Sequence, residues 1–293
     1  MATAAEWIEG ARPRTLPAAV SPVVAGTGVA IWVESFVWWK ALLCLVVAIA
    51  LQVAVNYAND YSDGVRGTDT GRVGPLRLVG SCVASAAQVK AAAMAGFALA
   101  GVAGLVLAST TSWWLLLIGA VAMSAAWFYT GGSKPYGYQA LGEVSVFVFF
   151  GLVAVVGTTY VQAERIPAGA WPVALALGAL ACAILVANNL RDIPTDKLVG
   201  KRTLAVVMGD RTSRLFYAIL LSAAGALAFV SAATMSWWAL LALSSLPLAA
   251  HALIVVRRGA TGASLIPVLR DTGLAELVYA VGLCAGLLVS SHG

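Results

Sequence analysis

Apolar residues fill long, nearly unbroken runs, and the polar residues gather between them. Nine runs can be drawn, over residues 15–33, 37–58, 86–109, 112–130, 140–161, 169–190, 213–234, 236–256 and 272–290. Each is close to the ~20 residues that an α-helix needs to cross the hydrocarbon core of a bilayer. The glycines and prolines inside them are tolerated in membrane helices. The pattern predicts an all-α membrane protein with about nine transmembrane helices in one domain, residues 1–293.

Two runs end in the same polar pattern. Asn56-Tyr57-Ala58-Asn59-Asp60-Tyr61-Ser62-Asp63-Gly64 follows the second run, and Asn188-Asn189-Leu190-Arg191-Asp192-Ile193-Pro194-Thr195-Asp196 follows the sixth. Asn56 precedes Asp60 by four residues, as Asn188 precedes Asp192. On a helix that spacing puts amide and carboxylate on one face. Asp63 and Asp196 add a second carboxylate to each patch. Because four spans separate the patches, the two halves run in the same direction. The expected organisation is two parallel pseudo-repeats, over 11–130 and 140–256, and a final helix over 272–290.

Charge fixes an expected orientation. With nine spans, all of the 18 Lys and Arg except Lys40 and Arg165 fall on the side of the N-terminus and of both patches. The positive-inside rule makes that side cytoplasmic. Trp32, Trp38, Trp39, Trp113, Trp114, Trp171, Trp237 and Trp238 lie at the opposite ends, as an interfacial belt would. Hydrophobic residues make up 61% of the chain and charged residues 11%, which excludes a soluble core. No cleaved leader is expected, and the net charge of +5 reports topology rather than nucleic-acid binding. Cys44, Cys82, Cys182 and Cys284 lack metal-type spacing, and His251 and His292 are too scattered for a histidine metal site.

Paired carboxylates at membrane helix ends need cationic compensation. Hard oxygen donors suit Mg²⁺, which binds through a few carboxylates together with substrate phosphates. The residues therefore point to a divalent-metal diphosphate site built from two halves of a bundle, with Arg66, Arg77, Lys134, Arg191, Lys201 and Arg202 as candidate phosphate partners. If the ester is allylic, its cation needs a dry pocket with aromatic faces. Tyr129, Tyr136, Tyr138, Phe147, Phe149, Phe150 and Tyr160 lie on or near spans four and five. Glu143 either holds a substrate hydroxyl or bridges helices, Glu276 is expected to pair with Arg270 or a tyrosine, Asp271 reads as a helix start, and Asp210 as a cap.

Asn59-Asp60-Tyr61-Ser62-Asp63 and Asp192-Ile193-Pro194-Thr195-Asp196 resemble the two aspartate motifs of the UbiA-type intramembrane prenyltransferases. Arg12-Pro13-Arg14-Thr15-Leu16-Pro17, Gly74-Pro75-Leu76-Arg77 and the Lys134 turn also fit, so the resemblance spans nearly the whole chain. Within that superfamily the chain is most similar to the branch acting on 1,4-dihydroxy-2-naphthoate in menaquinone synthesis. The cues are the two Asn-rich patches and Tyr129-Thr130-Gly131-Gly132-Ser133-Lys134-Pro135-Tyr136-Gly137-Tyr138. Where the general first motif has a third Asp, this chain has Gly67, with Asp69 two residues later, as in the naphthoate branch.

The resemblance implies nine helices around a central cavity, capped by cytoplasmic loops after helices 2 and 6, in a bacterial cell membrane. It implies Mg²⁺ on Asp60, Asp63, Asp192 and Asp196, with Asp69 a further candidate. Asn56, Asn59, Asn188 and Asn189 would support these ligands, and Lys134, Lys201, Arg66 and Arg77 would hold phosphate oxygens. The implied reaction joins a polyprenyl chain from its diphosphate to 1,4-dihydroxy-2-naphthoate, with loss of CO₂ and diphosphate. The implied partners are those two substrates and membrane lipid, with no nucleic acid.

Three other protein classes share features with the chain. A CDP-alcohol phosphotransferase motif begins like Asp60-Tyr61-Ser62-Asp63-Gly64, but Gly67-Thr68-Asp69-Thr70 stands where its Ala-Arg and further Asp residues belong. An ion-coupled transporter places its carboxylates near the midplane, between inverted repeats. A prenyltransferase for 4-hydroxybenzoate, homogentisate or haem would share the mechanism and differ in acceptor.

Overall fold

The computed structural model describes residues 2–67 and 76–291. Among the described residues, apolar helices lie over the nine apolar runs: α1 (Leu16–Trp32), α2 (Trp38–Arg66), α3 (Ala86–Thr110), α4 (Leu115–Phe128), α5 (Gly142–Ala163), α6 (Ala170–Leu198), α7 (Asp210–Thr234), α8 (Trp237–Arg257) and α9 (Gly262–Ser291). Eight are long and apolar enough to cross a membrane, and the first of these spans includes the short helix Ala4–Gly10 ahead of α1. The ninth, α4, has 14 residues. Asp69 lies outside the described residues.

The helix ends differ from the sequence pattern where the patches lie. Both α2 and α6 have 29 residues. At ~1.5 Å per residue each is ~43 Å long, against a hydrocarbon core of ~30 Å. The last two turns therefore project beyond the apolar layer and stay helical while carrying polar residues. Asp60, Asp63, Asp192 and Asp196 sit on these projecting turns rather than on loops.

Small residues let the helices approach closely. Gly282 and Gly286 of α9, one turn apart, face the α8 backbone so closely that an added Cβ would collide with the carbonyls of Leu241 and Trp238. α1 lies inside the bundle, packed against α2, α5, α6 and α9. α6 is the most deeply buried span and carries much of the main core. α4 is different. None of its residues is buried, and it packs mainly on α3 and α2. Among the described residues no packed seam joins α4 to α5, so the space between them belongs to a cavity.

At the end remote from the patches, Lys40 of α2 bonds Thr111 at 3.0 Å and Glu164 at 3.3 Å, tying the start of α2 to the ends of α3 and α5. Asp210 begins α7 and pairs with Arg214 instead of acting as a side-chain cap. Asp271 lies inside α9, buried, between His251 (2.9 Å) and Arg270 (2.8 Å), and is not a helix start. Glu276, expected to pair with Arg270 or a tyrosine, is fully buried, and its oxygens have no hydrogen-bond partner among the described residues.

Candidate active site

A cavity of about 1430 Å³ runs through the bundle. Asn56, Asn59, Asp63, Arg77, Asn188, Asn189, Arg191 and Lys201 line one end, so both patches reach one space. The other walls are apolar: Leu115, Ile118, Gly119 and Ala122 of α4, and Phe149, Phe150, Val153 and Gly157 of α5. The cavity extends as far as Cys44, 19 residues before Asp63 on the same helix, or ~28 Å at the helical rise.

In the first patch each polar side chain fastens a neighbouring segment. Asn56 donates its amide to the Ala11 carbonyl (2.8 Å) and the Thr15 hydroxyl (3.0 Å), holding the N-terminal turn over the site. Asn59 accepts from the Thr130 hydroxyl at 2.7 Å. Both oxygens of Asp60 accept backbone N–H groups, from Leu78 (2.7 Å) and Val79 (3.1 Å). This docks the segment that carries Arg77. Gly64 makes room for it, since a Cβ there would stand 2.5 Å from Val79. Asp63 accepts from the Tyr138 hydroxyl at 2.7 Å. Arg66 donates to the carbonyls of Thr130 and Gly132, so its guanidinium secures the segment after α4.

The second patch is held by charge. Arg191 forms a buried two-pronged pair with Asp192, at 2.7 and 2.8 Å, and reaches Asn188 at 2.9 Å. Lys201 lies 3.9 Å from Asp196. Asn189 donates to Glu143 at 2.9 Å, so Glu143 bridges α5 and α6.

Lys134 stands apart. Its side chain is exposed and does not line the cavity. Of the aromatic residues, Tyr129, Tyr136, Phe149 and Phe150 line it. Phe147 packs on Gly178, and Tyr160 sits against Trp114. Burial holds the Tyr136 phenol above its ordinary value, and it donates to the Ala125 carbonyl at 2.7 Å. Arg12 is a lining residue that the spacing of the patches does not single out. Its backbone is left-handed, at φ 55, a strain of roughly 1–2 kcal/mol for a residue with a Cβ. The sequence signal is Pro13, which disfavours the right-handed helical region for the residue before it.

Among the described residues no three His, Cys, Asp or Glu side chains converge as a metal cage. Of the four aspartates, Asp63 lines the cavity, while Asp60, Asp192 and Asp196 lie behind its wall, and the lining amide oxygens of Asn56, Asn59, Asn188 and Asn189 stand there with Arg77, Arg191 and Lys201. The donors are nonetheless hard oxygens beside cationic groups. That suits Mg²⁺, which keeps several ligands from water and substrate phosphate.

The UbiA prenyltransferase family matches residues 19–290. The chain belongs to that family. As a UbiA-family protein it is 56% identical over 287 residues to a 1,4-dihydroxy-2-naphthoate octaprenyltransferase of Mycobacterium tuberculosis, covering 98% of each chain. It is 39% identical over 296 residues to a protein of the same name from Haemophilus influenzae, covering 97% of this chain and 96% of the relative. The fold is that of a UbiA homolog from Archaeoglobus fulgidus bound to DMAPP and Mg²⁺, with a TM-score of 0.69, 16% identity, and coverage of 97% and 99%.

Proposed function

We propose that this protein transfers a polyprenyl chain from its allylic diphosphate to 1,4-dihydroxy-2-naphthoate, releasing diphosphate and CO₂ and giving demethylmenaquinol. The observation that carries this reading is that Asp63 and the Asn side chains of both framed patches line one end of a deep apolar cavity, beside Arg77, Arg191 and Lys201. The activity for which the Mycobacterium tuberculosis and Haemophilus influenzae relatives are named supports the acceptor. The chain is read as crossing a bacterial cell membrane nine times, with the patches cytoplasmic.

Asp63 at the cavity wall, with Asp60, Asp192 and Asp196 behind it, would hold Mg²⁺, and Asn56, Asn59, Asn188 and Asn189 would support them. Bound there, the ion supplies charge neutralisation of the leaving diphosphate. Arg77, Arg191 and Lys201 face the same space and add cationic donors where negative charge grows. The apolar walls hold the prenyl chain and keep water from the allylic cation, and Phe149, Phe150, Tyr129 and Tyr136 offer it aromatic faces. The ring carbon bearing the carboxylate attacks C1, forming the new C–C bond. The C–CO₂ bond then breaks and returns its electron pair to the ring. No proton leaves carbon in this sequence, so the cavity need not present a general base.

The test is turnover of purified protein in lipid with polyprenyl diphosphate and carboxyl-labelled 1,4-dihydroxy-2-naphthoate. The reading expects labelled CO₂ in step with the prenylated quinol. Product from 4-hydroxybenzoate and none from the naphthoate would overturn the acceptor assignment.

A further inference from the structure

Tyr138 joins the first acidic patch to the segment that follows the second. Its hydroxyl donates to Asp63 of the first patch at 2.7 Å. Its ring lies under the Lys201 ammonium, 5.0 Å from the centroid, and Lys201 is the cation beside Asp196 of the second. The Arg66 guanidinium lies 5.7 Å from the same ring. The Tyr138 backbone carbonyl accepts from the Arg202 N–H at 3.2 Å, and Gln139 and Arg202 form an isolated parallel bridge. One residue thus meets the projecting end of α2 through its hydroxyl, and the segment after α6 through its ring and backbone.

Those two segments come from different halves of the chain, and a diphosphate is small. To be engaged from both sides at once, the patches need a fixed separation. Working geometries of this kind hold to within about 0.5 Å, and only where supporting side chains lock the contact residues. The geometry points to Tyr138 as a positioning residue that sets the spacing of the two patches, orienting Asp63 through its phenol and Lys201 through its ring. This rests on the reading that both patches serve one diphosphate.

The contacts separate by chemistry. Tyr138→Phe removes the donor to Asp63 and keeps the ring under Lys201. Tyr138→Leu removes both. Tyr138→His keeps a ring and can restore an N–H donor toward Asp63. Partners that orient metal-ligating carboxylates typically change metal affinity about 10–100-fold when lost. The probe is Mn²⁺ with inorganic pyrophosphate, titrated by electron paramagnetic resonance on the full chain in lipid, beside the KM for polyprenyl diphosphate. Tyr138→Phe should weaken Mn²⁺–pyrophosphate binding about tenfold and raise KM more than it lowers kcat. Tyr138→Leu should be weaker still, and Tyr138→His should recover part of the loss, which a general packing defect would not allow. Adding Tyr138→Phe to Asp63→Asn should cost little more than Asp63→Asn alone, because the two share one contact. Wild-type binding by Tyr138→Phe, or additive losses in the double variant, would overturn the inference and leave the proposed function standing. Failure of the wild-type protein to bind Mn²⁺–pyrophosphate would instead remove the function on which it rests.

Discussion

Asp60 and Asp63 stand three residues apart on one helix and are held differently. Asp60 has no exposed surface and accepts two backbone N–H groups, from Leu78 and Val79. Asp63 lines the cavity. Asp60→Asn keeps one acceptor and sets an amide donor against an N–H, at a cost of about 1–3 kcal/mol for the unmet group. It should lower the thermal midpoint in detergent and loosen the segment carrying Arg77. Asp63→Asn should abolish turnover with a midpoint near wild type. Equal midpoints for the two variants would contradict this division. Asp192 gives a third contrast. Removing its charge strands Arg191, whose side chain is 4% exposed, and breaking such a buried pair from one side costs about 3–5 kcal/mol. Asp192→Asn should therefore unfold at a lower temperature than Asp196→Asn, whose ion pair at 3.9 Å is looser.

At the scale of elements, α4 and α5 decide how much room a prenyl chain has. Gly119 on α4 and Gly157 on α5 both line the cavity, and a Cβ at either would meet nothing within 4 Å. Gly119→Phe and Gly157→Phe should thus fill space without displacing a neighbour. We expect each to raise KM for a long polyprenyl diphosphate several-fold while leaving geranyl diphosphate nearly unaffected. A uniform loss with both donors would place the chain elsewhere. The helices themselves were legible because apolar length alone announces a span. Where they stop was not. The apolar runs end at residues 58 and 190, since hydropathy marks the edge of the apolar layer, and helical hydrogen bonding continues past it to Arg66 in α2 and Leu198 in α6.

Across the whole molecule, the frame shared by the patches was readable from spacing, because both lie on helices and helical spacing fixes a face. The clasp between them was not. Tyr138 reaches Asp63 over 75 positions of sequence, and no local periodicity encodes a contact made by folding. Lys134 illustrates the converse: a lysine in a Gly/Pro-rich turn reads as a phosphate ligand, yet its side chain is exposed and off the cavity wall. Arg66, with the same expectation, is engaged with the carbonyls of Thr130 and Gly132. Lys134→Ala should accordingly cost less in KM for the diphosphate than Lys201→Ala. A larger loss at Lys134 would mean that its turn closes over the bound substrate.

In the proposed function, both patches, with a divalent cation, release diphosphate from a prenyl donor held in the apolar cavity. The most direct measurement is prenylated naphthoquinol formation by purified protein in lipid, with Mg²⁺ and after chelation, for wild type, Asp63→Asn and Asp196→Asn. Product is expected only with Mg²⁺, with a fall of about 10²-fold or more in each variant, the scale seen when one charge-stabilising group is removed. Undiminished product after chelation, or full activity with either patch neutralised, would contradict it.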